Sequence, residues 1–119
     1  MVDYGCGSGI LAILALKRKA SHVIAVDIDE DTLQAAEHNL QINSVRERCD
    51  LCHILEIYMG NDRFPPADVT IANILPGALI RLVVPLWGLT KPGGLICLSG
   101  MRPDEFWAVR EKFLPFVDI

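Results

Sequence analysis

Glycines at alternate positions near the start of the chain are the residues best suited to chemistry. Gly5, Gly7 and Gly9 follow a short apolar stretch that carries Asp3, and residues 10–20 are good helix formers. A strand, a glycine turn and a helix in this order present backbone N–H groups and a helix N-terminus to a ligand. Glycine suits the turn because a Cβ would prevent the backbone conformations or close approaches that it needs. The stretch therefore predicts a ligand-binding turn.

The spacing of these glycines distinguishes between classes of ligand. A dinucleotide-binding turn has the form G-x-G-x-x-G/A, and counting from Gly5 puts Ile10 where that template needs glycine or alanine. The observed spacing looks like the first motif of the class I S-adenosylmethionine-dependent methyltransferases, in which the methionine end of the ligand lies over the glycines. A nicotinamide-dependent protein is the less favoured alternative, and a tight turn without a ligand is another.

Length, composition and charge set the class of protein. The 119 residues predict a single domain over residues 1–119, and the 51% apolar content suits a sheet buried on both faces. No apolar run approaches the roughly 18 residues of a membrane span, and the N-terminus lacks the pattern of a secretory signal. The net charge of −4 argues against direct nucleic-acid binding. A cytoplasmic protein with no membrane partner is expected.

The four cysteines predict reduced thiols. They are scattered along the chain, and the Cys49-x-x-Cys52 pair has no second pair or histidine cluster with which to complete a zinc site. A redox role for the pair is the minor alternative. No metal site is expected.

The hydrophobic pattern predicts strands and helices in alternation. Residues 44–52 and 91–94 are interpreted as a connection and a turn, and the helix after the fourth strand is expected to deform at Pro85. Such alternation predicts a parallel sheet with helices on both faces and right-handed crossovers. The predicted strands are residues 2–4, 22–27, 53–59, 68–73 and 95–99, and the predicted helices are 10–20, 30–43, 77–89 and one between 102 and 115 with Phe106, Val109 and Phe113 inward.

Polar residues at the ends of these strands are the candidate ligand contacts. Asp27 lies about twenty residues past the glycine turn, where an acidic side chain can accept hydrogen bonds from a ribose diol. Asp29 is better explained as the N-cap of the second helix. Asn61 and Asp62 follow the third predicted strand and are candidates for an adenine contact, although a plain turn is as well supported. Asn73 ends the fourth strand, beside the expected ligand.

Five stretches together resemble the ribosomal protein L11 methyltransferase family. They are DYGCGSGILAI from Asp3, VDID from Val26, ANIL from Ala72, KPGG from Lys91 and LSG from Leu98. The similarity extends over nearly the whole chain and keeps the order of these stretches. The Asn-Ile-Leu form narrows the resemblance, since many other amino-group methyltransferases carry Asn-Pro-Pro-Tyr there.

The resemblance implies a Rossmann-like class I methyltransferase fold of the α/β class, with a mostly parallel, doubly wound sheet. The first strand is expected to be shortened and the final β-hairpin missing. The implied activity is transfer of methyl from S-adenosylmethionine, which becomes S-adenosylhomocysteine, to lysine or N-terminal amines of a ribosomal protein. A cofactor-binding module without activity and an enzyme with another amine acceptor are the alternatives. The implied cofactor contacts are Asp3, Gly5, Cys6, Gly7, Gly9, Asp27, Ile28, Asp62 and Asn73.

Two residues at the end of the fourth strand carry the expected catalysis. Methyl transfer mainly requires that a neutral amine be aligned with the methyl group, so proximity and orientation supply most of the rate. The side-chain oxygen of Asn73 and the backbone carbonyl of Ile74 are expected to hold the amine. Slow methylation by this chain is expected, and so is self-association through the uncharged edge of residues 95–99.

Overall fold

A computed structural model describes residues 1–58 and 64–119. The chain divides into two compact units, Met1–Pro65 and Pro66–Ile119, which are considered in turn. In the described parts of both units, no helix has the length and apolar character needed to cross a membrane.

The first unit contains three parallel strands with β2 in the middle, flanked by β1 and β3. Asp27 and His53 are register partners at the carboxyl ends of β2 and β3. The elements are β1 (Val2–Tyr4), α1 (Ile10–Lys17), β2 (Val23–Asp27), α2 (Glu30–Ile42), a 3-10 turn (Arg46–Arg48), β3 (Cys49–His53) and α3 (Ile54–Tyr58).

Helices α1 and α2 pack on this small sheet through apolar residues at helical spacing. Ala12 and Leu16 of α1 and Ala36 and Leu40 of α2 are each at most 2% exposed. Asp29 caps α2 as predicted, since its carboxylate accepts hydrogen bonds from the Asp31 N–H at 3.2 Å and from the Thr32 hydroxyl at 2.6 Å.

The third strand lies earlier in the chain than predicted. Residues 49–53 are strand and residues 54–58 are helical, whereas the sequence pattern predicted a connection over 44–52 and a strand over 53–59. Cys49 and Cys52 behave as small apolar residues and are each 1% exposed, so they supply the buried positions of β3. The prediction was wrong because it counted these cysteines among the polar residues.

The second unit is built on one parallel strand pair with three helices. Its elements are β4 (Ala67–Asn73), α4 (Pro76–Arg81), α5 (Val83–Gly88), β5 (Thr90–Ser99) and α6 (Phe106–Phe113). The predicted single helix over 77–89 is broken at Leu82, between α4 and α5. Pro85 explains the break, since its ring excludes the carbonyl four residues earlier and its missing N–H falls in the first turn of α5.

Strand β5 begins before the stretch that was predicted. The register passes from Ala67–Thr90 to Val69–Leu95, so the predicted turn over 91–94 is an irregularity inside the strand. In α6, Val109 and Phe113 are at most 2% exposed, whereas Phe106 is 42% exposed and does not face inward as predicted. A groove of about 940 Å³ runs along β5 and α6 and leaves Leu95 exposed.

Candidate functional site

The glycine turn between β1 and α1 adopts the left-handed backbone that its sequence predicted. Gly7 has a φ of +55° and Gly9 a φ of +79°, and Gly5 is also positive. A Cβ on Gly9 would lie 3.3 Å from the Cβ of Ala36, so glycine is needed there for both conformation and packing. A Cβ on Gly7 would meet nothing within 4 Å, which leaves open space over this residue.

Asp27 fastens the glycine turn to the end of β2. Its Oδ2 accepts a hydrogen bond from the Gly7 N–H at 2.9 Å, and its Oδ1 accepts from the N–H groups of Ile28 at 2.8 Å and Asp29 at 3.2 Å. A carboxylate offers about four acceptor positions, so these three donors leave about one for a ligand. The ribose role of Asp27 stays a prediction. The sequence did not indicate its second role, which is to hold the backbone of the glycine turn and of the turn after β2.

Asp3 is a buried carboxylate with one oxygen committed. Its side chain is 1% exposed, and Oδ2 accepts a hydrogen bond from the Ala12 N–H at 3.0 Å. Among the described residues, Oδ1 has no hydrogen-bond partner. Burial raises the pKa of Asp3 to about 6, the nearby charge of Asp27 adds to the rise, and the Ala12 hydrogen bond opposes it.

Neighbouring elements hold the rest of the turn through its backbone. The N–H groups of Gly5 and Cys6 both donate to the carbonyl of Val26, at 2.8 and 2.9 Å. From α2, the side-chain amide of Asn39 donates to the carbonyl of Ser8 at 2.9 Å. Asn39 was not predicted as a site residue, because its partner lies 31 residues away in the sequence.

The two other predicted contacts that the structure describes in this unit differ in exposure. Ile28 is 71% exposed, directly after Asp27, so its side chain is available to a ligand. Cys6 is 5% exposed, and burial raises the pKa of its thiol to about 12. Since the thiol stays protonated at neutral pH, Cys6 can contribute backbone and van der Waals contacts but not a nucleophile.

The candidate catalytic residues lie in the second unit. Asn73 ends β4 and is exposed, and Ile74 follows it. Gly100, with a φ of +86°, packs directly on this backbone, since a Cβ on it would lie 2.5 Å from the carbonyl oxygen of Ile74. Asp62 and Asn61 lie outside the described residues.

The described residues offer no group of three or more histidine, cysteine or acidic side chains that could hold a metal ion. All four cysteines are free thiols, and burial raises the pKa of Cys49 to about 11.

Comparison with known proteins decides the family. The family model described as ribosomal protein L11 methyltransferase matches residues 1–117. The chain belongs to the ribosomal protein L11 methyltransferase family. A ribosomal protein L11 methyltransferase of Klebsiella pneumoniae is 43% identical over 97% of the chain, and one of Tolumonas auensis is 45% identical over 88%. The chain spans 38% and 35% of the lengths of these two relatives.

Solved structures confirm the Rossmann-like α/β methyltransferase fold for this family member. A ribosomal protein L11 methylase from Lactobacillus delbrueckii superposes with a TM-score of 0.83 at 30% identity, over 96% of this chain and 57% of that one. A SAM-dependent O-methyltransferase from Thermotoga maritima gives 0.80 at 21% identity, over 96% of this chain and 42% of that one. A SAM-dependent methyltransferase from Geobacter sulfurreducens, solved with S-adenosylhomocysteine, gives 0.67 at 18% identity, over 82% and 39%.

Proposed function

We propose that the chain is the cofactor-binding core of an S-adenosylmethionine-dependent N-methyltransferase that modifies lysine or N-terminal amines of a ribosomal protein. The observation that carries the proposal is the glycine turn, held open at Gly7 and fastened to Asp27 within a member of this family. A relative that spans the same residues is named for methylating ribosomal protein L11.

The described residues fit S-adenosylmethionine. Oδ1 of Asp3, which has no partner among the described residues, can accept a hydrogen bond from the ligand. The negative charge of the Asp3 carboxylate also attracts the positively charged methionine end of S-adenosylmethionine. Asp27 keeps about one acceptor position for a ribose hydroxyl, and the exposed side chain of Ile28 offers an apolar surface to a purine ring. When bound, the cofactor supplies an activated methyl group on its sulfonium.

Substitution of Asp27 tests the cofactor site. Asp27→Ala should weaken S-adenosylhomocysteine binding by about 1–3 kcal/mol, because a charged acceptor is lost and the Gly7 N–H is released. Isothermal titration calorimetry measures the change. Asp29→Ala is the matched control, since it removes the cap of α2 and should lower stability without lowering affinity. Unchanged affinity in Asp27→Ala would refute the assignment.

We assign the amine-positioning role to Asn73 and Ile74. The exposed carboxamide oxygen of Asn73 accepts one amine hydrogen, and the carbonyl of Ile74 accepts a second, so that the nitrogen lone pair is directed at the methyl group. The close packing of Gly100 on Ile74 supports this assignment, because it fixes the carbonyl. The chain needs no further acid or base if the amine arrives neutral.

Kinetics separate this role from a structural one. Asn73→Ala should slow methyl transfer to ribosomal protein L11 about tenfold while S-adenosylhomocysteine affinity stays within about twofold, because the contact acts on the aligned amine. Asp68→Ala, at the other end of β4, is the control, since its partner is the exposed Lys91. Equal losses of turnover and affinity would point to a structural role for Asn73.

The alternatives give distinct results in the same assays. Cofactor binding without transfer to any amine would indicate a binding module, and transfer to another amine substrate would change only the acceptor.

Self-association through the edge of residues 95–99 stays a prediction, supported by the 64% exposure of Leu95 and by β5 pairing only with β4 in the described residues. Sedimentation of the purified chain tests it. A cytoplasmic location also stays a prediction.

A further inference from the structure

His53 makes two directed contacts at the end of β3. Its Nδ1 accepts a hydrogen bond from the backbone N–H of Leu55 at 3.2 Å, and its Nε2 lies 2.8 Å from the backbone carbonyl oxygen of Ile28. A carbonyl oxygen only accepts, so Nε2 carries the proton. These two partners assign the neutral Nε2–H tautomer to His53.

The contact with Leu55 is a helix cap. His53 immediately precedes α3, and its own backbone N–H donates to Oε1 of Glu56, the third residue of that helix, at 2.9 Å. A side chain that accepts from the first turn, with a carboxylate that reaches back to the capping residue, forms a capping box. Here an imidazole nitrogen takes the place of the usual hydroxyl. The cap fixes the plane of the ring and thereby the direction of Nε2.

The carbonyl held by Nε2 belongs to the turn that follows β2. Asp27 is the register partner of His53 and accepts hydrogen bonds from the N–H groups of Ile28 and Asp29. The Ile28 side chain is 71% exposed, so packing does little to fix this residue. The turn is therefore held from one side by the carboxylate of Asp27 and from the other by the ring of His53.

We propose that His53 is a positioning residue for the cofactor site: through Ile28 it fixes the turn that presents Asp27 and Ile28 to the adenosine half of the cofactor. The inference rests on the proposed function. No contact between His53 and the cofactor is required, because the ring acts through the Ile28 carbonyl.

Two substitutions of His53 separate the hydrogen bond to Ile28 from the hydrogen bond to Leu55. Glutamine places an amide N–H near the position of Nε2 and keeps the donor to Ile28, whereas asparagine places an oxygen near the position of Nδ1 and keeps the acceptor for Leu55. His53→Asn should weaken S-adenosylhomocysteine binding about fivefold, the effect of one neutral hydrogen bond, while His53→Gln stays within about twofold of wild type. Calorimetry on the 119-residue chain measures both.

Stability should change in the opposite order. His53→Gln loses the cap of α3 and should have a lower thermal midpoint than His53→Asn, although it binds the ligand more tightly. A role confined to folding would move stability and affinity together. The matched control is His22→Gln, which alters an exposed histidine paired with Asp50 just before β2 and should leave affinity unchanged.

The outcomes separate this inference from the proposed function. If wild type binds S-adenosylhomocysteine and both His53 variants bind equally well, or lose affinity equally, the positioning role is refuted. If wild type does not bind the ligand, the proposed function itself fails and the positioning role with it. ¹⁵N chemical shifts of the ring report the tautomer independently, and an Nδ1–H form of His53 would overturn the geometry on which the inference depends.

Discussion

Replacing Asp3 with asparagine should remove a pH dependence from the stability of the ligand-free chain. The pKa of Asp3 is raised from 3.8 to about 6, with burial as the largest cause. Between these values the folded chain binds more protons than the unfolded chain, so the free energy of unfolding falls as the pH rises. A difference of about two pKa units corresponds to about 3 kcal/mol, at 1.36 kcal/mol per unit.

The loss of stability between pH 4 and pH 7.5 is assigned to Asp3 because the other described carboxylates whose pKa is shifted, Asp29 and Asp68, shift in the opposite direction. A hydrogen bond from Thr32 lowers the pKa of Asp29, and Lys91 lowers that of Asp68, both from an ordinary 3.8. Their contributions to stability are present above that value and are lost only as the pH falls below it. Above about pH 4, the loss of stability with rising pH should therefore come from Asp3.

Urea unfolding of wild type and Asp3→Asn at pH values from 4 to 7.5 tests the prediction. The variant is neutral throughout, so its stability relative to wild type should be about 2.5 kcal/mol greater at pH 7.5 than at pH 4, where about 0.5 kcal/mol of the full difference has already developed. Taking the difference between the two proteins cancels the contributions of titrating groups that do not interact with Asp3. A difference that does not change with pH would refute the assignment of a raised pKa to Asp3. NMR titration of its carboxyl carbon in wild type gives the same answer if the variant does not fold.

Three further predictions concern glycine packing and the thiols. Gly9→Ala should destabilise the chain by about 1–3 kcal/mol, because Gly9 has a positive φ and the new Cβ would lie 3.3 Å from Ala36. In the control Gly88→Ala the new Cβ would meet nothing within 4 Å, so thermal unfolding should show no loss or a slight gain of stability. Gly100→Ala should slow methyl transfer, because its Cβ would lie 2.5 Å from the carbonyl oxygen of the residue after Asn73; unchanged turnover would contradict this. Iodoacetamide at pH 8 should label Cys97 before the three buried cysteines, as peptide mapping would show.

The glycine turn and its surroundings were predictable because each residue there obeys a local rule. Alternate glycines between a strand and a helix indicated the turn, and Gly7 and Gly9 do have positive φ values. Asp29 was identified as a cap from its place before Glu30 and Asp31, and the structure confirms it. Such rules depend on residues close in sequence, so one chain suffices to apply them.

The end of β3 was not predictable from local rules. Cys49 and Cys52 are buried as apolar residues, while Asp50 between them pairs with His22 at a sequence separation of 28. The pattern therefore alternates less clearly than in an ordinary strand. The roles of His53 and Asn39 were missed because each depends on a backbone carbonyl far away in the sequence. His53 reaches one 25 residues away, and Asn39 reaches one 31 residues away.

The buried carboxylate of Asp3 is a residue beside the glycine turn that lowers the stability of the free chain but can favour ligand binding. A buried acid with an oxygen that no described residue satisfies costs stability, and an apolar residue at the same position would avoid the cost. A ligand that donates a hydrogen bond to Oδ1, or brings positive charge near it, would lower the pKa of Asp3 again and recover that free energy on binding. The loss in the free chain and the gain in the complex thus have the same origin. Binding near neutral pH should therefore be accompanied by release of the proton from the small fraction of chains in which Asp3 is still protonated, and the amount released should grow as the pH approaches about 6.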